Sequence, residues 1–299
     1  MKHLLKLEGM SRSAMEEILA SAKAIKAQRG GGGETKPLDG QTWTMIFTKS
    51  STRTRVSFEV GIRELGGSVM FLNANDMQLG RGELIKDTAG VLGRMVHGAV
   101  IRTYAQADVE EFADYSNIPT INALTDDEHP CQILTDIFTF QERRGLIQGK
   151  VVTFIGDGAC NVPVSWMHAA AALDFELRIA APAEFQPSTE TLAKAGGIIT
   201  CTEDVCAAVD GADVVYTDVW VSMGMEAEAE ERLAKLASYQ INGALMRLAK
   251  PDALVMHCLP AYRGKEIDAE TFEEHADTIF TQAENRLHTQ KAILAWLAG

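Results

Sequence analysis

The sequence predicts an α/β protein of two lobes, each with a central parallel sheet flanked by helices. Three observations carry this expectation. Short β-branched and aromatic runs recur between stretches with helical spacing, the order that builds parallel sheets covered on both faces. The alternation pauses at Gly145–Lys150 and restarts in a strong apolar run, Val151-Val152-Thr153-Phe154-Ile155. A chain of 299 residues is also long enough for two domains of ordinary size. The expected division is 1–144 and 150–283, with a C-terminal helix over 284–299 packing back on the first lobe. Ligands of such folds sit beyond the carboxyl ends of the strands, so the active site is expected in the interdomain cleft.

The elements follow in order. Met15, Ile18, Leu19, Ala22 and Ile25 recur at helical spacing, predicting a helix from Ser11 to about Arg29 with a capping box at Ser13 and Glu16. Gly30–Gly33 ends it, because four glycines carry too much backbone entropy for a helix or strand. Strands are expected at 43–48, 68–72, 99–104 and 119–122. Helices are expected at about 51–65, 83–96, 109–115 and 130–144. Beyond the linker, further strands are expected at 151–155, 177–180, 214–217, 253–257 and 278–280, then a final helix over 284–297.

Composition narrows the function. The 41 acidic side chains against 28 basic ones leave a net charge of −13, which argues against nucleic acid as a partner. No apolar run reaches the ~20 residues that cross a bilayer, and Met1–Lys6 does not resemble a signal peptide. Five scattered cysteines suit a reducing compartment, so the expected location is cytoplasmic. No CxxC or His-x3-His spacing suggests zinc.

The richest stretch is Ser51-Thr52-Arg53-Thr54-Arg55, between a strand and a helix. Helix N-terminal N–H groups, three hydroxyls and two guanidinium forks together suit a phosphate dianion, where the bland reading is an N-cap with solvated arginines. Arg102 closes a buried strand, so it reaches solvent or finds an anion. In His129-Pro130-Cys131-Gln132, Pro130 at the first helical position places His129 at the helix start. There it is either a structural cap or a group that polarises a carbonyl, with the Gln132 amide beside it. Asp218 ends a strand and opens Asp218-Val219-Trp220-Val221-Ser222-Met223-Gly224, where a carboxylate could hold an ammonium group. Cys258 ends another strand and is either an inert core thiol or a ligand contact. A dinucleotide site is the rival reading for Gly156–Asn161. It fails because Asn161 replaces the third glycine and no acid ends the following strand.

In order and spacing, these positions together resemble the aspartate/ornithine carbamoyltransferase family. The likeness covers essentially the whole chain, through Ala283–His288. Ser51–Arg55 and His129–Gln132 match the wider family, whereas Asp218–Gly224 and His257–Pro260 resemble its ornithine branch. The resemblance implies transfer of a carbamoyl group from carbamoyl phosphate to the δ-amine of L-ornithine, giving L-citrulline and phosphate. It makes 1–144 the carbamoyl phosphate-binding domain and 150–283 the ornithine-binding domain.

By the same resemblance, Ser51, Thr52, Arg53 and Thr54 bind the phosphate, and Gln78 reaches into a site, that of a neighbouring subunit. Arg102, His129 and Gln132 hold the carbamoyl end, with Arg286 a further ligand of carbamoyl phosphate. Asn161, Asp218, Ser222 and Met223 contact ornithine, and Cys258 and Leu259 lie where both substrates meet. Arg102, His129 and Cys258 form the catalytic set. A homotrimer, or a multiple of trimers with shared active sites, is implied, with no cofactor and no membrane.

The chain departs from the family at Gly90, where Arg is usual, and at Cys160 and Val164, where Asn is frequent. These changes bear on the amine substrate more than on the reaction. Two alternatives stand beside the main reading: a sibling transferase using putrescine or an N-acylated ornithine, and a non-catalytic binding subunit. Asp218, Ser222 and Met223 together favour a free α-amino acid. Aspartate is disfavoured because Cys258 stands where a dicarboxylate would need a basic contact.

Overall fold

The computed structural model describes residues 1–33, 35–73, 82–221 and 226–299. The chain divides into two units, Met1–Phe138 with Asn285–Gly299, and Thr139–Glu284. The first runs α1 (Arg12–Gln28), β1 (Thr42–Phe47), α2 (Thr52–Glu64), β2 (Ser68–Asn73), α3 (Ile85–Leu92), β3 (Gly98–Arg102), α4 (Gln106–Ser116) and β4 (Thr120–Leu124). Helix α5 (Pro130–Arg144) follows, and the division falls within it. The second unit holds β5 (Val151–Ile155), α6 (Asn161–Leu173), β6 (Glu176–Ala180), α7 (Thr189–Ala195), β7 (Ile198–Thr202), α8 (Val205–Val209) and β8 (Val214–Thr217). It continues with α9 (Ala229–Leu236), α10 (Gly243–Met246), β9 (Leu254–His257), α11 (Ala269–Glu274) and the start of α12 (Ala276–Ala298).

Both sheets are parallel throughout. The first has the order β2-β1-β3-β4 and the second β7-β6-β5-β8-β9. Each order reverses direction once, between β1 and β3 in one sheet and between β5 and β8 in the other. Loops leaving the carboxyl ends on either side of such a switch point part to opposite faces and leave room for a ligand. The sequence puts Ser51 after β1, Arg102 at the end of β3, Asn161 after β5 and Asp218 after β8. These four candidate residues therefore flank the two switch points.

Buried strands explain the apolar runs: Trp43, Met45 and Val100 are fully covered in the first sheet, and Val152, Val214 and Val255 in the second. A Cβ at Gly98 would meet the Trp43 ring at 2.5 Å, so glycine is what lets that indole lie flat against its register partner on β3. A β-bulge between Ile101 and Arg102 shifts the β3–β4 pairing. Bulges of this kind re-aim a side chain at a strand end, here Arg102.

Four expectations need correcting. The segment 278–280 is not a strand: Thr278-Ile279-Phe280 lies in the first turns of the 23-residue α12. Three apolar or β-branched residues are too few to distinguish a strand from a buried helix turn. Strand β7 was not anticipated, because it is an edge strand whose first residue, Ile198, is 66% exposed. Helix α3 is shorter than 83–96, since it ends at Gly93, which packs against the Ser116 carbonyl too closely for any side chain. Helix α1 is capped by Ser11, whose Oγ accepts from Ala14 N at 3.2 Å, while Glu16 pairs with Arg12.

Candidate active site

In the first unit, Ser51 caps α2, its Oγ accepting from Thr54 N at 3.3 Å and donating to Thr54 Oγ1 at 3.0 Å. Thr52 and Arg53 lie exposed on the first turn, while Thr54 is 1% exposed. Arg102 Nη1 and Arg286 Nη2 also approach Thr54 Oγ1, at 3.4 and 3.1 Å. Three donors thus converge on a hydroxyl with two lone pairs. Donors gathered in this way suit a phosphate or carbonyl oxygen.

Arg286 comes from α12, far along the chain, and its Nη1 donates to Gln132 Oε1 at 2.6 Å. The Gln132 amide nitrogen donates in turn to Asp136 Oδ1 at 2.8 Å, one helical turn on along α5. Gln132 is thereby oriented from both ends. Pro130 opens α5 as expected, and Ile133 N donates to the His129 carbonyl at 3.3 Å, so His129 stands at the helix start. Its imidazole is held well below its ordinary pKa, first by burial and then by the positive charges of Arg286 and Arg102. At neutral pH the ring is uncharged and offers one N–H donor.

Two further buried side chains engage the loop before His129 or its flanks. Lys49, 6% exposed, pairs with Asp126 and lies 4.2 Å from the Tyr104 ring centroid. Glu128 accepts from Leu7 N at 2.7 Å and Glu8 N at 3.2 Å, tying the N-terminal segment to the loop before His129. Sequence reasoning assigned no role to Lys49, Glu128 or Asp136. The i, i+4 spacing of Gln132 and Asp136 on a helix was the legible signal for the last.

In the second unit, Asp218 Oδ1 accepts from Val219 N at 2.7 Å and from the Cys258 thiol at 2.8 Å. Burial pushes the Asp218 carboxyl above its ordinary pKa, against the opposing pull of His257 and these hydrogen bonds. Cys258 is therefore engaged with Asp218. Leu259, next along, has φ 60°, a left-handed conformation rare for a branched side chain. Its N–H donates to His257 Nδ1 at 2.9 Å, so the His257 Nε2–H faces Glu266 Oε1 at 3.2 Å.

Asn161 opens α6, half-buried, after Cys160 at the cap position. Burial first, then the nearby carboxylates of Asp157 and Asp218, raise the Cys160 thiol well above its usual pKa, so it stays protonated. Arg232, 7% exposed on α9, pairs with Asp157 and donates from Nε to the Trp220 carbonyl at 2.8 Å. One guanidinium thus ties the loop after β5 to the loop after β8. Sequence reasoning did not name Arg232 or Glu266. Gln78, Ser222 and Met223 lie outside the described residues.

Asp218, His257 and Cys258 bring carboxylate, ring-nitrogen and sulfur atoms within 4.8 Å of one another, the one such trio found among the described residues. Both His257 ring nitrogens are taken up by Leu259 N and Glu266, and the thiol faces the carboxylate. The trio is a hydrogen-bonding group, and a metal would have to displace those bonds to bind there.

Residues 2–142 match the family model described as the aspartate/ornithine carbamoyltransferase carbamoyl-P binding domain, and residues 148–297 match its Asp/Orn binding domain. An ornithine carbamoyltransferase of Akkermansia muciniphila is 52% identical, over 100% of this chain and 98% of that protein. One of Methylococcus capsulatus is 49% identical over 99% and 98%. Among solved structures, ornithine carbamoyltransferase from Pyrococcus furiosus superposes with a TM-score of 0.94 at 44% identity, covering 100% of this chain and 97% of that one. The anabolic ornithine carbamoyltransferase from Campylobacter jejuni gives 0.93 at 42%, with 99% of each chain covered. Two parallel-sheet units, the switch-point residues and these matches along both halves make the chain a member of the aspartate/ornithine carbamoyltransferase family.

Proposed function

We propose that this chain transfers the carbamoyl group of carbamoyl phosphate to the δ-amine of L-ornithine, giving L-citrulline and phosphate in arginine metabolism. The observation that carries the reading is the convergence of Ser51, Arg102 and Arg286 on Thr54, with Gln132 and the uncharged His129 alongside. The anabolic Campylobacter jejuni relative supports the biosynthetic direction.

Unit 1 binds carbamoyl phosphate. Ser51, Thr52, Arg53 and Thr54 take the phosphate at the start of α2, where helix N–H groups favour an anion. Arg102, His129 and Gln132 take the carbamoyl end, Arg286 bridges the two, and Gln78 is contributed to a neighbouring subunit's site. Unit 2 binds ornithine through Asn161, Asp218, Ser222 and Met223, with Cys258 and Leu259 at the reacting end. The neutral δ-amine attacks the carbamoyl carbon, forming a C–N bond and a tetrahedral oxyanion. Thr54, Arg102 and His129 donate to that oxygen, a role typically worth about 3 kcal/mol per donor. The C–O bond to phosphate then breaks, and the departing phosphate takes up the amine proton. Positioning and fixed charge suffice, so no cofactor or metal enters the proposal.

A homotrimer, or a multiple of it, is part of the same reading. It is supported by exposed apolar side chains on the first unit, among them Val56, Met70, Leu84, Val91 and Met95, and by the edge position of β2. A cytoplasmic location is supported by five free thiols, and no helix among the described residues is long and apolar enough to cross a membrane.

The test is phosphate release from carbamoyl phosphate with ornithine, putrescine, N-acetylornithine and aspartate as parallel acceptors. Preference for ornithine supports the reading. Preference for another acceptor overturns the amine assignment, and no release with any acceptor overturns catalysis altogether.

A further inference from the structure

A cavity of about 660 Å³ in the first unit is lined by Arg29, Gly30, Lys36, Arg63, Glu64 and Lys291. It lies at the far end of α2 from Ser51. Thr52 to Glu64 spans twelve residue steps, about 18 Å of helix, so this is a place separate from the phosphate-binding start of α2.

Its charge is out of keeping with the chain. Basic residues number 28 in 299, yet they supply four of the six lining positions. The one lining carboxylate, Glu64, is used from both sides: Arg29 donates to Oε1 at 2.8 Å and Lys291 to Oε2 at 2.7 Å. Those two cations draw its carboxyl below the usual pKa despite partial burial. Glu59, outside the lining, accepts from Arg63 at 3.1 Å. Counting both carboxylates, the group keeps a surplus of positive charge in a protein that is otherwise strongly acidic.

Helix C-termini attract cations, and that accounts for Arg29 after α1 and Arg63 at the end of α2. It does not account for Lys291, which is 2% exposed in mid-helix, or for Lys36, which has no ion-pair partner among the described residues. Gly30, with φ 80°, turns the chain at the rim, and Cβ atoms at Gly32 and Gly33 would meet nothing within 4 Å. The backbone there leaves room for an incoming group. None of the six lining residues is aromatic, so a nucleobase would find no face to stack on.

We propose that this cavity binds a small polyvalent oxyanion of the phosphate class, such as pyrophosphate or a compact phosphate ester. Arg29 and Arg63 supply planar forks that match phosphate oxygens, and Lys36 and Lys291 supply point charges. The glycine run after α1 forms the rim through which the anion enters.

The experiment is calorimetric titration of the full chain with inorganic pyrophosphate, with citrate and sulfate as parallel arms. The background is Arg53→Gln, which weakens the site at the start of α2. Pyrophosphate is expected to bind once per chain in that background, and more tightly than citrate or sulfate. Adding Lys36→Gln and Arg63→Gln is expected to weaken it about tenfold or more, the loss of two charge-assisted contacts. Both side chains are exposed, so the fold should be kept. In an otherwise unaltered chain, the pair Lys36→Gln and Arg63→Gln should leave citrulline formation at its normal rate. Absence of pyrophosphate binding in the Arg53→Gln background overturns the proposal, as does equal affinity after the two further changes. Citrate binding as tightly as pyrophosphate overturns the assignment to phosphates. None of these outcomes depends on which amine the enzyme uses.

Discussion

Arg286 Nη1 donates to Gln132 Oε1 at 2.6 Å, joining residues 154 positions apart. Both side chains are buried in the first unit, and the same guanidinium reaches Thr54. A residue near the C-terminus is thus part of a cluster whose other members lie between positions 51 and 136.

Gln132→Leu removes the acceptor of Arg286 and the donor to Asp136 together. Buried groups left short of partners cost about 1–3 kcal/mol, so thermal unfolding should move down by several degrees. The KM for carbamoyl phosphate should rise while the KM for ornithine stays within about twofold. Steady-state kinetics with each substrate varied in turn checks this.

His129 has its pKa well below the ordinary value in the folded chain. The unfolded chain therefore binds the proton first as pH falls, and stability drops progressively below about pH 6.5 while remaining level above it. Asp218 works in the opposite sense at lower pH, because its carboxyl is pushed up. Its burial penalty is fully present above the folded pKa and fades as pH falls through it. Replacing His129 by Asn should flatten the acid-side loss below about pH 6.5 in denaturant titrations. An unchanged slope would show that another group governs it.

Catalysis should rise towards alkaline pH for a separate reason. The attacking amine must be neutral, and a free alkyl amine titrates near pH 10. A log kcat/KM profile climbing above neutrality is expected, with no acid-side break near pH 6.5, because His129 is already uncharged there.

Arg232→Met should leave Asp157 buried without its cation, at a cost of about 3–5 kcal/mol, and release the loops after β5 and β8 from each other. The ornithine KM should rise with carbamoyl phosphate KM little changed. Adding Asp157→Asn should recover part of the stability but not the KM, since the tie to the Trp220 carbonyl stays broken.

Gly90→Ala should stabilise the chain. Gly90 lies inside α3, and a Cβ there meets only Arg94 Nη1, at 3.7 Å. Removing glycine from a helix interior is worth roughly 0.5–1 kcal/mol, read as a rise in Tm. A fall would mean that the position is packed against something in the assembled protein.

Much of this architecture was legible because parallel strands are buried on both faces and read as apolar runs, as Val151–Ile155 and Val214–Thr217 do. Edge strand β7 escaped because none of its residues is buried, so it lacks the fully covered run that marks the central strands. The start of α12 was mistaken for a strand because Thr278-Ile279-Phe280 suits either periodicity. In the site, the Ser51–Arg55 run and His129–Gln132 were readable as local clusters. Supporting side chains were not, because Lys49–Asp126, Arg232–Asp157 and His257–Glu266 act through partners that only the fold brings near. Arg286 was readable only through family resemblance, since nothing in its helix announces a buried anion ligand.

The most direct test of the two half-sites is a pair of variants assayed for citrulline formation, Thr54→Val and Asp218→Asn. The account predicts that Thr54→Val raises the KM for carbamoyl phosphate and lowers kcat by about 10²–10³, while the ornithine KM holds. It predicts that Asp218→Asn raises the ornithine KM and spares carbamoyl phosphate. The reverse pattern, or equal effects on both substrates from each variant, would contradict it.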